Sequence, residues 1–349
     1  MKKPLYVIRP DQTSEILNKM IQAAGEGYEL QTVSLTALSD LTFKHMLIAV
    51  ELDDAGYCIP IFEFISRLCQ RRNKALEGSS AILLIHSPND FNSKSRGADI
   101  LFQLNRLGCC FPGHPLVEAL ENLGNFKTWQ KTMDLSLEEI CLEQCRRLGA
   151  RLQEIPMQKK AQPHIAALHS SSHETSNTLA LWRICALGLQ DCKIQELHVE
   201  NGQVQDCKGC SFKTCIHYSE KNSCFYGGVV VEEIYPAVEA CDAVVWLCPN
   251  YNDSISANLS AVINRLTALY RKTPFYNKAL YAVIVSGNSG SDSVAKQLIG
   301  ALCINKGFYL PPYFCISAIA NDPGAVLMVD GIVEKAECFA SEMMKQLKV

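Results

Sequence analysis

Four cysteines crowd one short segment of the second half of the chain. Cys207, Cys210, Cys215 and Cys224 fall within 18 residues, although the whole chain of 349 residues holds only 17 cysteines. Thiolates are soft ligands that suit iron-sulfur clusters and zinc, and four of them on one segment can close a metal site. The spacing therefore predicts metal binding, with an iron-sulfur cluster, zinc and unligated thiols as the alternatives.

A run of hydroxyl residues, 170–178, lies between a short apolar segment and a helical pattern. Backbone N–H groups at a helix N-terminus, together with hydroxyls, form a phosphate site without a lysine. An ordinary helix cap would need only one serine. The length of the run favours phosphate binding.

Two further loops follow apolar segments and carry groups that suit a planar ligand. Pro249-Asn250-Tyr251-Asn252 combines a rigid turn with amide donors and an aromatic face. The second loop begins Ser286-Gly287-Asn288 and contains Gly290, and its glycines permit close backbone approach. The sequence predicts that a ring lies between these two loops.

Short β-branched runs alternate with helical patterns, which is typical of βαβ units around a parallel sheet. In the second half the pattern predicts strands at Pro163 to Leu168, Ile194 to Val199, Ala243 to Cys248, Leu280 to Ser286 and Tyr313 to Ala318. It predicts helices at Asn177 to Leu189, Val231 to Ala240, Ile255 to Arg271, Ser293 to Lys306 and Ala325 to Leu347. This order fits a doubly wound, flavodoxin-like α/β sheet of strand order 2-1-3-4-5, whose ligand loops share one edge.

The first half repeats part of this pattern. Residues 65–68 (Ile-Ser-Arg-Leu) and 263–266 (Ile-Asn-Arg-Leu) are separated by an offset of 198, and residues 108–112 match 307–311 at an offset of 199. We therefore predict two tandem flavodoxin-like domains, 1–155 and 160–349, with the cysteines in an insertion at 207–224 of the second.

The first half lacks the ligand loops of the second, so its domain is predicted to be degenerate. The loop after its third strand is acidic, with Glu51, Asp53 and Asp54, and carboxylates repel a phosphate. We expect no flavin there. His86 and His114 are candidates for substrate or partner contact, although single loop histidines are more often structural.

The second half resembles the NADPH-dependent FMN reductases and iron-sulfur flavoproteins. Residues 248–265 are similar, without a gap, to the family's Ser-Pro-Val-Tyr-Phe-Gly-Ser segment through Ile-Asp-Arg, and residues 170–178 share its first-loop register with Ser170, Ser172 and His173 replacing Gly, Pro and Arg. The resemblance implies FMN, with NAD(P)H as co-substrate and a [4Fe-4S] cluster at the cysteines. It places the phosphate and the ring on these residues: Ser171, His173, Ser176, Asn177, Thr178, Pro249, Asn250, Tyr251, Asn252, Ser286, Gly287, Asn288 and Gly290.

Composition excludes other classes. The formal charge of −3 and the absence of a basic cluster argue against nucleic-acid binding, and no apolar run approaches the 18 residues of a membrane span, so a cytoplasmic protein is expected. The function predicted is an FMN-dependent oxidoreductase that takes electrons from a nicotinamide nucleotide or a redox protein. The alternative is a non-catalytic binding or scaffold protein with a structural zinc. The first domain is expected to act as a built-in partner of the second, as in a dimer, or the chain forms a homo-oligomer.

Overall fold

The structure is a computed structural model that describes residues 2–37, 39–71, 74–154, 159–171, 175–200 and 202–349. The chain divides into two compact units, Met1–Pro156 and Met157–Val349. Each unit contains one five-stranded sheet in which every strand pairs in parallel with its neighbours.

The first unit has the strand order β2-β1-β3-β4-β5. Its central strands are apolar along almost their whole length, since helices cover both faces of the sheet. The strands are β1 (Lys3–Ile8), β2 (Tyr28–Val33), β3 (His45–Glu51), β4 (Ser80–Ser87) and β5 (Leu116–Leu120), and the helices are α1 (Glu15–Ala24), α2 (Ile59–Gln70), α3 (Ser93–Arg106), α4 (Lys127–Gln130) and α5 (Leu137–Gln153).

The second unit has the order β7-β6-β8-β9-β10, which is the same topology. The predicted fold, two flavodoxin-like sheets of order 2-1-3-4-5, is therefore confirmed. The strands are β6 (His164–His169), β7 (Lys193–His198), β8 (Ala243–Pro249), β9 (Ala279–Ser286) and β10 (Cys315–Ile319), and the helices are α6 (Asn177–Leu187), α7 (Phe212–Ser219), α8 (Tyr235–Ala240), α9 (Ala257–Lys272), α10 (Ser291–Leu298) and α11 (Ile332–Leu347).

Three of the predicted helices are interrupted in the structure. A π-helical turn at Val230–Ile234 precedes α8, and another at Ile299–Ile304 follows α10. The last predicted helix is divided into a 3-10 turn at Ala325–Met328 and α11, because Gly331 between them takes a left-handed φ of 69°. Helix α7 lies inside the cysteine segment, where the sequence pattern predicted none.

The two units share small details as well as topology. An isolated parallel bridge joins Ser80 to Cys110 in the first unit, and its counterpart joins Ala279 to Tyr309 in the second. The glycines just before these bridges, Gly108 and Gly307, both have positive φ. These pairs keep the offset of 199 that was visible in the sequence. No helix among the described residues is long and apolar enough to cross a membrane.

Candidate functional site

The loops after β6, β8 and β9 lie at the carboxyl edge of the second sheet, where ligands of doubly wound folds bind. Pro249 is the last residue of β8, and the chain then reverses in a tight turn closed by a bridge between Tyr251 and Ser254. Asn252 and Asp253 at the centre of this turn have φ values of 54° and 56°. The side chain of Tyr251 is left 60% exposed.

Asn250 connects this turn to the loop after β9. Its Nδ2 donates to Ser289 O (2.9 Å), Ser286 Oγ (3.0 Å) and Asp253 Oδ1 (3.2 Å). Ser289 O and Asp253 Oδ1 can only accept hydrogen bonds, so the Asn250 amide must be oriented with Nδ2 toward them. Asn250 Oδ1 is buried and has no donor among the described residues. A buried acceptor without a donor marks a place where a ligand N–H group would be stabilised.

The loop after β9 packs directly against this turn. Gly290 has a φ of 87°, and a Cβ on it would lie 1.8 Å from Asp253 Oδ1. Gln297 ties the same turn to α10, because its Nε2 donates to Asp253 O at 2.8 Å. The two loops therefore form one continuous surface, with Gly287 and Asn288 on the β9 side. The ring site that the sequence placed between them would have to lie on that joint surface.

The loop after β6 leads into α6 with Ser176 as the helix cap, whose Oγ accepts from Leu179 N at 3.3 Å. Thr178 is buried. The Asn177 side chain holds the loop after β10, since Nδ2 donates to Asp322 O (2.8 Å) and Ala320 O (3.2 Å) and Oδ1 accepts from Val326 N (3.2 Å). Asn177 therefore orders a neighbouring loop, while the predicted residue His173 lies outside the described residues.

Ser170 and Ser171 connect the loop after β6 to neighbouring residues at the carboxyl edge of the sheet. The Ser171 carbonyl lies 3.2 Å from His169 Nδ1, and Ser170 Oγ lies 2.9 Å from the Oγ of Ser256 just before α9. Asn258 in the first turn of α9 donates to Val199 O at 2.9 Å. Helix α9 is thus anchored to the ends of both β6 and β7.

A pair of stacked histidines at this edge was not found from the sequence. His169 ends β6 and His198 ends β7, and their rings stack with centroids 4.8 Å apart and planes 11° apart. Burial, and then the neighbouring His198, lower the pKa of His169. The sequence signal was one histidine directly after the first predicted strand of this half, at His169, and one next to the end of the second, at His198.

The four cysteines line one cavity of about 130 Å³, which lies against α9. Cys207 is exposed and the other three are half-buried. Arg271 Nε donates to Cys215 Sγ at 3.2 Å, and Cys210 Sγ lies 3.8 Å from the Tyr226 hydroxyl. Within the described residues, no three Cys, His, Asp or Glu side chains are placed to hold a single metal ion. The cysteines surround a space and do not converge on a point.

The carboxyl edge of the first sheet is occupied by its own side chains. Glu51 at the end of β3 accepts a hydrogen bond from Ser14 N (2.7 Å) and from His86, which is only 6% exposed. His86 Nε2 lies 3.6 Å from Glu121. His114 has a left-handed φ of 50°, and its carbonyl accepts from Arg151 Nη2 at 3.1 Å.

Residues 163–321 match the family of NADPH-dependent FMN reductases. This stretch contains all three ligand loops of the second unit and the cysteine segment, and the resemblance predicted from the residues is confirmed. A search of curated proteins gave no match.

Two solved structures illustrate the structural likeness. An NAD(P)H:quinone oxidoreductase from Methanothermobacter marburgensis is 13% identical, with 52% of this chain and 96% of that chain covered and a TM-score of 0.41. The Trp repressor binding protein of Bacillus subtilis is 14% identical, with 50% and 96% covered and a TM-score of 0.34. The fold itself rests on the strand order described above.

Proposed function

We propose that the second unit is an FMN-dependent oxidoreductase that takes electrons from NAD(P)H. The observation that carries this proposal is the meeting of three loops at one edge of a sheet, through their described residues 170–171 with 175–176, 249–256 and 286–291, and the family match covers all three. FMN, when bound, would accept a hydride from the nicotinamide and pass electrons on. The residues of the chain bind and orient it.

The start of α6 would hold the phosphate. The first N–H groups of a helix have no partner within it, and the helix dipole favours an anion there. The cap hydroxyl of Ser176 is already used by Leu179 N, so the phosphate would be bound by backbone N–H groups and by Ser171. A single phosphate at this site suits FMN.

The joint surface of the β8 and β9 loops would hold the ring. Asn250 Oδ1 is a buried acceptor without a donor, so it fits the N–H of a flavin pyrimidine edge. The exposed aromatic ring of Tyr251 lies in the same turn and offers a face for stacking. The tight contact at Gly290 keeps this surface rigid before any ligand arrives.

The first test separates the phosphate from the ring. FMN and riboflavin are titrated into the chain by flavin fluorescence, first with the wild type and then with Ser171→Glu. The added carboxylate faces the phosphate, so FMN should bind on the order of tenfold more weakly or worse, while riboflavin binding is unchanged. NADPH should then bleach the bound flavin in the wild type.

The matched control is Thr273→Glu, which adds the same charge at the exposed residue after the last turn of α9. It should leave both affinities unchanged. Equal loss of FMN and riboflavin in Ser171→Glu would show that the phosphate lies elsewhere. A wild-type chain that binds neither flavin would favour the non-catalytic alternative.

We further propose that the four cysteines hold a metal-thiolate group, and that it is an iron-sulfur cluster and not zinc. A zinc ion with four thiolates requires all sulfurs within about 4.6 Å of one another, twice the Zn–S bond of about 2.3 Å. In an iron-sulfur cluster the thiolates bind separate irons, so their sulfurs surround the volume that the cluster fills. The cavity that the cysteines line fits the second requirement, and no three Cys, His, Asp or Glu side chains of the described residues are placed around a single ion. When bound, such a cluster would supply one-electron transfer beside the flavin unit.

A further inference from the structure

The cavity at the cysteines has an unusual charge balance. Its described lining contains four thiols and two arginines, Arg265 and Arg271, and no carboxylate. A third cation and one carboxylate lie just behind it, since buried Lys306 donates to Thr267 of the lining at 3.0 Å and Asp206 accepts from Asn264 of the lining at 2.9 Å, so the cations remain in excess. Cations gathered around a partly closed cavity repel one another unless an anion lies between them.

Arg265 is the more informative of the two arginines. Its relative exposure is only 3%, and its Nε has no acceptor in the described part of the chain. Its other nitrogens donate to Gly227 O at 2.6 Å and Gln205 O at 3.4 Å. These two carbonyls flank the cysteine segment on either side. Arg265 therefore fastens both ends of the segment and still has one buried donor unused.

The first unit shows which part of this arrangement belongs to the shared fold. Arg67, at the same place on α2, also donates to the segment after the second strand, at Leu35 O and Thr36 O. Its Nε is directed to Glu63 O within its own helix at 3.4 Å. Fastening that segment is thus common to both arginines, whereas the buried donor without an acceptor occurs only at Arg265, beside the cysteines.

Arg271 reaches the cavity from the last turn of α9. Its Nε donates to Cys215 Sγ at 3.2 Å, and its guanidinium lies 4.6 Å from the Phe212 ring centroid on α7. The neighbouring Lys272 instead donates to Asn222 Oδ1 at 2.6 Å, outside the lining. Two adjacent cations on one helix therefore differ in whether they contact a thiol.

We propose that Arg265 and Arg271 are positioning residues for an anionic metal-thiolate group, with the unused Arg265 Nε and the Arg271 Nε donating to its sulfur surface. The inference rests on the metal-thiolate group proposed above. Four thiolates around iron or zinc leave a net negative charge, which the two guanidinium groups offset. Partners of this kind orient the ligands and typically change metal affinity by about 10- to 100-fold.

The experiment measures how fast a chelator removes metal from the full chain. Wild type, Arg271→Gln, Arg271→Lys and the control Lys272→Gln are loaded anaerobically with Fe(II) and sulfide and, in parallel, with Zn(II). Arg271→Gln should release the retained metal about tenfold faster or more. Arg271→Lys keeps the charge and loses the Nε donor, so its release rate should lie between those of the wild type and Arg271→Gln, and Lys272→Gln should match the wild type.

Arg265→Lys is the second variant, since it keeps one positive charge and loses the Nε donor. It should also release metal faster. FMN binding, at the other end of α9, serves as the check that each variant is folded.

The outcomes separate the proposals. Arg271→Gln that behaves like Lys272→Gln in a chain that holds metal would overturn the arginine inference alone. A wild type that takes up neither metal would overturn both the inference and the metal proposal. Loss of FMN binding in the wild type would instead contradict the flavin proposal.

Discussion

The carboxyl edges of the two sheets are built on the same frame and differ in what fills them. Each has a capping serine before its first helix, Ser14 before α1 and Ser176 before α6, and each serine accepts from the N–H three residues later at 3.3 Å. The third strand ends in Glu51 in the first unit and in Pro249 in the second. In the first unit the start of the helix therefore faces a carboxylate of the chain itself, and among the described residues of the second unit Pro249 stands at the matching position.

Glu51 occupies the place that an anionic ligand would take. Ser14 N donates to its carboxylate, and His86 donates from the other side. Burial opposes the charge, but the hydrogen bonds from His86 and Ser14 outweigh it and hold the pKa of Glu51 below its ordinary value. The first unit therefore neutralises its own helix N-terminus, whereas the second unit has Pro249 at the position of Glu51.

The turns after β3 and β8 show a second difference. In each unit this turn packs against a residue with left-handed φ that precedes the next helix, Asn92 in the first and Gly290 in the second. In the first unit the glycine is in the turn, where a Cβ on Gly56 would lie 2.4 Å from Asn92 Cβ. In the second unit the glycine is Gly290, in the loop before the helix, so the turn residue that it contacts, Asp253, can have a side chain.

The largest effect on stability is expected where Gly290 contacts Asp253. Gly290→Ala should lower the free energy of unfolding of the second unit by about 2–5 kcal/mol, from the left-handed backbone and from the overlap with Asp253. Urea unfolding measures it. Gly324→Ala is the control, because Gly324 also has a positive φ but no neighbour within 4 Å of the added Cβ. Equal losses in both variants would show that the two loops are not packed as described.

An intermediate effect is expected at Glu51. Glu51→Gln should destabilise the first unit at neutral pH by about 1–3 kcal/mol, through weaker hydrogen bonds with His86 and Ser14. Because the folded-state pKa of Glu51 is lowered, its contribution is present above the unfolded pKa and disappears as the pH falls through the folded value. Urea unfolding at neutral and acidic pH measures the difference.

The control for Glu51 is Asp54→Asn in the same acidic loop. Asp54 is exposed and should change stability little at either pH. A pH dependence that is the same in Glu51→Gln and the wild type would contradict the assignment.

The smallest effect is expected at the stacked histidines, which the first unit replaces with Ile8 and Val33. His198→Val removes the second-largest cause that lowers the pKa of His169, so that pKa should rise while burial keeps it below the ordinary value. NMR titration of the His169 ring measures the shift. His164→Gln, at the other end of β6, should leave it unchanged, and an unaltered His169 pKa in His198→Val would show that the rings do not interact.

The architecture could be predicted from local patterns in the amino-acid sequence. Apolar β-branched runs such as residues 243–248 and 280–286 and the offset repeats between the halves predicted two sheets of one strand order, because these signals are local and periodic. The three ligand loops could also be placed at one edge, since the carboxyl ends of parallel strands meet there. The family resemblance followed from the same loops.

The contacts of individual side chains could not be predicted in this way and became visible in the folded chain. Asn177 was predicted to lie at the phosphate, and the structure shows that its side chain holds the loop after β10; Glu51 was predicted to repel a phosphate, and the structure shows that it faces the start of α1. Arg265 lies far along the chain from Gln205 and reaches it because α9 packs beside the segment after β7. Contacts of this kind join residues that are distant in sequence, so no local pattern encodes them, and they form only once the sheet order brings the elements together.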